Sequence, residues 1–166
     1  PNIAPEPSIM KALQDAIMVP ENYKYAINEL PEMKAAIHDW YKNRYQVELT
    51  NDEMICLQGS QEALSTLFLA MCDPGDIVLV PDPYYPIFSD GPKIAGAKVE
   101  YMPLLEEYNY VIQLDKIDEE IAKKAKMMIV SYPNNPTCAV APDSFYEDLI
   151  AFAKKYDIVV LHDNAY

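Results

Sequence analysis

Glycine, arginine and cysteine are scarce in this 166-residue chain, and the shortages narrow the functions it can have. Only 4 glycines are present, where average usage would give roughly twelve. The single arginine, Arg44, is too few for a protein that clamps phosphates or carboxylates with guanidinium groups. If the chain binds an anion, backbone N–H groups must therefore contribute much of the binding.

Positive charge of any kind is also in short supply. Lys and Arg number 13 against 26 Asp and Glu, which gives a net charge of −13. Nucleic-acid binding needs clustered basic residues, so we expect no nucleic-acid partner. No uninterrupted apolar run approaches the length of about 18 residues that a membrane helix needs, so we expect no membrane span. Hydrophobic residues nevertheless make up 51% of the chain, which excludes an intrinsically disordered protein.

The three cysteines, Cys56, Cys72 and Cys138, are odd in number and far apart in the sequence. They form no CxxC pair, and His38 and His162 lie at no ligand-like spacing, so we expect no metal site. Unpaired cysteines fit a reducing compartment, and the first residues show no signal-peptide pattern. We therefore expect a cytoplasmic protein.

Short apolar runs alternate with amphipathic stretches along the chain. The runs predict buried strands at 54–57, 77–80, 97–101, 127–131 and 158–161. Helices are predicted before the first run, starting near residues 8 and 31, and between later runs, starting near residues 61, 118 and 142. This alternation is typical of an α/β fold whose mostly parallel sheet carries helices on both faces.

Polar and aromatic side chains collect just after the predicted strands. In parallel α/β sheets, ligands bind outside the carboxyl ends of the strands, so these side chains are expected to share one edge. Each has an ordinary structural interpretation by itself, such as a helix cap or a turn. Their coincidence at four strand ends is what points to a ligand. The residues are Gly59, Ser60, Gln61, Tyr85, Asn135, Asp163 and Tyr166.

Together these side chains indicate which chemical groups their ligand would have. The helix that starts at Gly59 offers free N–H groups to a phosphate. Tyr85 can stack on a flat ring, and Asp163 can keep a proton on a ring nitrogen. Asn135 and Tyr166 can both donate to a phenolic oxygen. That combination fits pyridoxal 5'-phosphate, whose ring serves as an electron sink.

The same stretches resemble a known family. The motifs are GSQEAL at 59–64, DPGD at 73–76, PDPYYPIF at 81–88, PNNPT at 133–137 and DNAY at 163–166. They resemble the class I/II aminotransferases of the aspartate aminotransferase superfamily, which are fold type I pyridoxal-phosphate enzymes. The resemblance implies that residues 1–20 belong to a partial small domain. Residues 21–166 would then form the amino-terminal part of the cofactor-binding large domain.

The resemblance also implies roles for particular residues. Ser60 and Gln61 match the phosphate cradle, and Tyr25 matches a residue that reaches the phosphate of the neighbouring subunit in a homodimer. Family members exchange an amino group between an amino acid and a 2-oxo acid. Their Schiff-base lysine lies well beyond the Asp-x-x-Tyr element, so we expect no catalytic residue in this chain and no activity from it alone. Cys138 and Glu29 depart from the family pattern, because glycine is usual at both positions.

Other functions remain open at this stage. Another fold type I enzyme, such as a β-lyase or a decarboxylase, would use the same contacts with the cofactor ring. The chain could also be a non-catalytic binding or interaction module that keeps a degenerate cofactor pocket.

Overall fold

Both helices in the first part of the chain begin at a proline. In the computed structural model, which describes residues 3–166, helix α1 spans Pro7–Ile17 and helix α2 spans Pro31–Tyr45. Proline suits a first helical position because an N–H there would have no partner within the helix. Single 3₁₀ turns lie at Pro20–Tyr23 and Asn51–Glu53. Both helices were predicted from the sequence.

The described residues divide into two compact units, and the division lies between Cys56 and Leu57. The first unit contains α1 and α2, and the second contains a β-sheet. The domain boundary at residue 20, which the family resemblance implies, stays a prediction. No helix of residues 3–166 is both long enough and apolar enough to cross a membrane.

Glu29 ties the start of α2 to the end of the first unit. One carboxylate oxygen accepts the backbone N–H of Cys56 at 3.0 Å, and the other lies 3.5 Å from the Lys34 ammonium. The hydrogen bond from Cys56 is the main reason that the pKa of the Glu29 carboxyl is lowered. Glycine could make neither contact, so the unusual residue at this position has a structural role.

The second unit alternates helices and strands, as predicted. The main elements are α3 (Ser60–Met71), β1 (Ile77–Asp82), α4 (Ile87–Ile94), β2 (Lys98–Pro103), α5 (Glu119–Ala122), β3 (Ala125–Ser131), α6 (Asp143–Tyr156) and β4 (Val159–Asp163). The four strands are all parallel and lie in the order β2-β1-β3-β4. Short 3₁₀ helices at Glu106–Tyr108 and Leu114–Lys116 lie between β2 and α5.

Helices cover both faces of the sheet. Val78 and Val80 of β1 pack with Phe68 of α3 on one face. Leu79, which lies between them, packs with Phe145 of α6 on the other face. Alternate residues of a strand point to opposite faces, so a strand buried on both faces must be apolar throughout. The predicted α/β fold class is confirmed.

The structure differs from the sequence prediction in two places. Residues 54–57 form no strand, because no strand of the described residues pairs with them, and Ile55 is 74% exposed. Helix α4 was not predicted, because Gly91 and Pro92 within it are residues that usually end a helix. Burial of Phe88 against the sheet supports this helix despite its sequence.

Gly91 lets α4 pack directly on α3. A Cβ at this position would overlap the carbonyl oxygen of Leu64 and lie 2.9 Å from Phe68 Cδ2. We therefore expect Gly91→Ala to lower the free energy of unfolding by about 2–3 kcal/mol, as is usual for an overpacked contact. Chemical denaturation measures this loss. Asp90→Ala, at the exposed neighbouring position, should stay within about 0.5 kcal/mol of the wild type. Equal losses in both variants would contradict the close helix contact.

Candidate functional site

A pocket of about 210 Å³ lies at the carboxyl-end edge of the sheet. We call it the strand-end pocket. Its lining combines the start of α3 with the segments that follow β1, β3 and β4, and most of the residues predicted from the sequence are among the lining residues. The lining residues are Ser60, Gln61, Leu64, Tyr85, Asn135, Asp163, Ala165 and Tyr166.

The start of α3 lines one side of this pocket. Gly59 precedes the helix with φ +92°, a conformation that favours glycine. The first N–H groups of an α-helix have no partner within the helix, and the helix dipole adds partial positive charge there. Ser60 and Gln61 line the pocket at this point, so the site can bind an anion without an arginine.

The Tyr85 side chain is held at the wall of the pocket by contacts at both ends. Its hydroxyl donates a hydrogen bond to Gln61 Oε1 at 3.1 Å. Its ring meets the edge of Phe88, with ring centroids 6.1 Å apart and planes at 78°. The sequence did not reveal this role of the Gln61 side chain, because the two residues are far apart in the chain. A ring fixed in this way can serve as a stacking surface for a planar ligand.

Asn135 and Tyr166 are brought together, as predicted. Asn135 Nδ2 donates to the Tyr166 hydroxyl at 3.4 Å. Asn134 shapes the loop that presents Asn135, because its Oδ1 accepts from Thr137 Oγ1 at 2.7 Å and from Thr137 N–H at 3.2 Å. Sequence analysis identified the motif but not this supporting contact. The pair offers two adjacent polar groups to one ligand oxygen.

Asp163 is the last residue of β4, where it pairs in register with Ser131 of β3. Partial burial raises the pKa of its carboxyl group, and the neighbouring His162 opposes the rise. A carboxylate whose charge is disfavoured by burial gains most from a cationic partner. The protonated nitrogen of a pyridine ring is such a partner, so the donor set of this pocket fits pyridoxal phosphate.

Two predicted site residues, Gly59 and Tyr25, lie outside the pocket lining, and so does Cys138. Gly59 immediately precedes the lining residue Ser60. Tyr25 belongs to the first unit, where it is 94% exposed, and its contact with the phosphate of a neighbouring subunit stays a prediction. Cys138 follows the Asn-Pro-Thr motif with φ +60°, in the left-handed region. The loop thus keeps the backbone shape that favours glycine although cysteine occupies the position.

The protein-family comparison matches residues 2–166 with the family described as aminotransferase class I and II. The LL-diaminopimelate aminotransferase of Halothermothrix orenii is 46% identical over 161 residues, which are 96% of this chain and 41% of the relative. The enzyme of the same name from Aquifex aeolicus is 44% identical over 164 residues, or 98% of this chain and 42% of the relative. The chain thus spans about two fifths of the length of these relatives.

Solved structures agree with the family match. The apo structure of BacF from Bacillus subtilis superposes with a TM-score of 0.94 at 38% identity, covering 98% of this chain and 42% of that one. A mutant of Thermus thermophilus aspartate aminotransferase gives a TM-score of 0.93 at 29% identity, covering 100% of this chain and 44% of that one.

The strained backbone at Cys138 predicts a stabilising substitution. The left-handed conformation costs a residue with a Cβ roughly 1–2 kcal/mol. Substitution by glycine removes this cost, but glycine also makes the unfolded chain more flexible, which offsets part of the stabilisation. Cys138→Gly should therefore raise the free energy of unfolding by about 1 kcal/mol, measured by denaturant titration. Cys138→Ala removes the thiol but keeps the Cβ, so it should bring no gain. An equal gain in both variants would assign the effect to the thiol instead.

The raised pKa of Asp163 predicts a pH-dependent stability difference. The folded chain holds the Asp163 proton more tightly than the unfolded chain does. As the pH rises from the ordinary value of 3.8 to the raised value, the unfolded form ionises first and the folded state loses stability. Asp163→Asn cannot ionise there. Its melting temperature should match the wild type below this window and exceed it above.

Circular dichroism melts across this pH range measure the difference in melting temperature between Asp163→Asn and the wild type. The titrations of other groups affect both proteins alike, so they cancel in this difference. Asp157→Asn, the same substitution at an exposed position, is the matched control. If the melting temperature of Asp163→Asn differs from that of the wild type by a constant amount, or by more toward acidic pH, burial does not oppose the charge of Asp163.

Proposed function

Because this chain belongs to the class I and II aminotransferase family, we propose that it forms the amino-terminal, cofactor-binding part of a pyridoxal-phosphate-dependent aminotransferase. The observation that carries the proposal is the convergence of Gln61, Tyr85, Asn135, Asp163 and Tyr166 on one pocket at the carboxyl edge of a parallel sheet. When bound, pyridoxal phosphate supplies an electron sink for bonds at the α-carbon of an amino acid.

The residues of the chain would divide the binding of this cofactor among them. Ser60 and Gln61, with Gly59 before them, would direct backbone N–H groups at the phosphate. Tyr85 would cover one face of the ring and exclude water from it. These contacts would bind and orient the cofactor without contributing a proton.

The other end of the pocket would control protons. Asp163 would hold a proton on the ring nitrogen, because the ion pair with a pyridinium relieves the cost of the buried carboxylate. Asn135 and Tyr166 would donate to the phenolic oxygen and stabilise its negative charge. Together these three residues would keep the ring in its electron-withdrawing form.

The relatives narrow the choice of substrate. Those described above at 44% and 46% identity are LL-diaminopimelate aminotransferases, so we propose LL-diaminopimelate as the first amino donor to test, with a 2-oxo acid as acceptor. We further propose a cytoplasmic homodimer in which Tyr25 reaches the phosphate of the neighbouring subunit. A β-lyase or decarboxylase would need the same ring contacts, and the family match favours the aminotransferase over both.

Cofactor binding by the 166-residue chain tests the proposed site. Titration with pyridoxal phosphate, followed by absorbance, should show saturable 1:1 binding. Asp163→Asn should weaken it roughly 10-fold to 100-fold, since a hydrogen bond between charged groups contributes about 1.5–3 kcal/mol. Asp157→Asn should leave it unchanged. The chain alone should not transfer an amino group from LL-diaminopimelate to any 2-oxo acid.

The outcomes separate the site from the reaction. Equal affinity of the two variants would show that Asp163 does not contact the cofactor and would overturn the proposed pocket. Steady turnover by the chain alone would overturn the division of roles, because the catalytic lysine would then have to be one of its own.

A further inference from the structure

A second cluster of polar side chains lies outside the strand-end pocket, around the hydroxyl of Tyr101. This oxygen is 3.1 Å from Ser89 Oγ, 3.4 Å from the Tyr84 hydroxyl and 3.5 Å from Lys93 Nζ. Tyr101 lies on the edge strand β2, Ser89 and Lys93 lie one turn apart on α4, and Tyr84 follows β1. We call these four residues the Tyr101 cluster.

The cluster is held in place by packing. The rings of Tyr84 and Tyr101 stack with centroids 5.5 Å apart and planes 15° from parallel. Ser89 is 1% exposed, and its hydroxyl hydrogen-bonds to the Tyr101 oxygen. Tyr101 itself is 43% exposed, so its phenol is fixed in orientation and still accessible to small reagents.

The Tyr101 oxygen has three hydrogen-bonding neighbours, one of which is an ammonium group. A phenolate at Tyr101 could accept hydrogen bonds from Lys93 and from both neighbouring hydroxyls. The charged and titratable groups that face it are Lys93 and Tyr84. Consistent with this, the Ser89 hydroxyl is the main group that lowers the pKa of Tyr101, followed by Tyr84, and the hydrogen bond with Tyr101 raises the pKa of Tyr84.

We propose that Tyr101 is a site of O-acylation that accepts an acyl group from activated donors such as acyl imidazoles and acyl phosphates. The Tyr101 oxygen loses its proton to solvent and attacks the carbonyl carbon of the donor. A C–O ester bond forms as the bond to the leaving group breaks, and the leaving group departs with the bonding electrons and takes up a proton. Oxidation states do not change in this step.

Competition among the 13 tyrosines of the chain tests this proposal. Accessibility alone would make Tyr25 react first, because it is 94% exposed against 43% for Tyr101. The chain is treated with limiting N-acetylimidazole at neutral pH, and peptides are mapped by mass spectrometry. Hydroxylamine then identifies tyrosine esters, which it cleaves, whereas acetyl-lysine survives.

We expect Tyr101 to be acetylated about threefold faster than Tyr25, since a larger phenolate fraction outweighs the lower nucleophilicity of a less basic oxygen, as it does for thiols. Lys93→Gln should reduce this preference, whereas Lys98→Gln, which deletes an exposed charge on the same strand as Tyr101, should keep it. Tyr84→Phe retains the stacked ring but loses a donor, so it should reduce the preference as well.

Each outcome bears on the proposal. In denaturant, all tyrosines should react at similar rates, which would confirm that the preference depends on the fold. The proposal is overturned if Tyr25 reacts before Tyr101 in the folded chain. It is also overturned if neither Lys93→Gln nor Tyr84→Phe slows the reaction at Tyr101.

Discussion

The arrangement of the site depends on the parallel pairing of β3 with β4. This pairing sets Asp163 opposite Ser131, so the segments that follow the two strands leave the sheet side by side. Asn135 and Tyr166 can then meet, and the Asp163 carboxylate lies in a partly buried pocket. Burial makes its charge unfavourable until a cation arrives. Partial burial of Asp163 thus explains both its unfavourable charge and its proposed function.

The sequence predicted much of this arrangement for a physical reason. Buried parallel strands are apolar throughout, so 77–80 and 127–131 were visible as runs, and ligand-binding residues follow such strands directly. The run at 54–57 was misleading because an apolar stretch becomes a strand only where a partner strand is available. Helix α4 was hidden because tertiary packing overrides the weak local preferences of Gly91 and Pro92. The contact between Tyr85 and Gln61 depends on side-chain directions that a linear pattern does not contain.

Adjacent residues of one loop serve two clusters. Tyr85 lines the strand-end pocket and bonds to Gln61, while Tyr84 stacks on Tyr101 on the edge strand. Helix α4 follows immediately and is fixed on α3 by the close approach at Gly91. The packed pair of helices α3 and α4 therefore supports the start of α3, the loop that carries Tyr84 and Tyr85, and the Tyr101 cluster.

The proposed role of Asp163 is to hold a proton on the ring nitrogen of a bound cofactor. This role is tested most directly by nuclear magnetic resonance of pyridoxal phosphate labelled with ¹⁵N in the ring, at an alkaline pH where the free cofactor has lost this proton. With the wild-type chain, the ¹⁵N shift should remain that of the protonated nitrogen. With Asp163→Asn, it should move to the unprotonated value. The same shift in both complexes would show that Asp163 does not hold this proton.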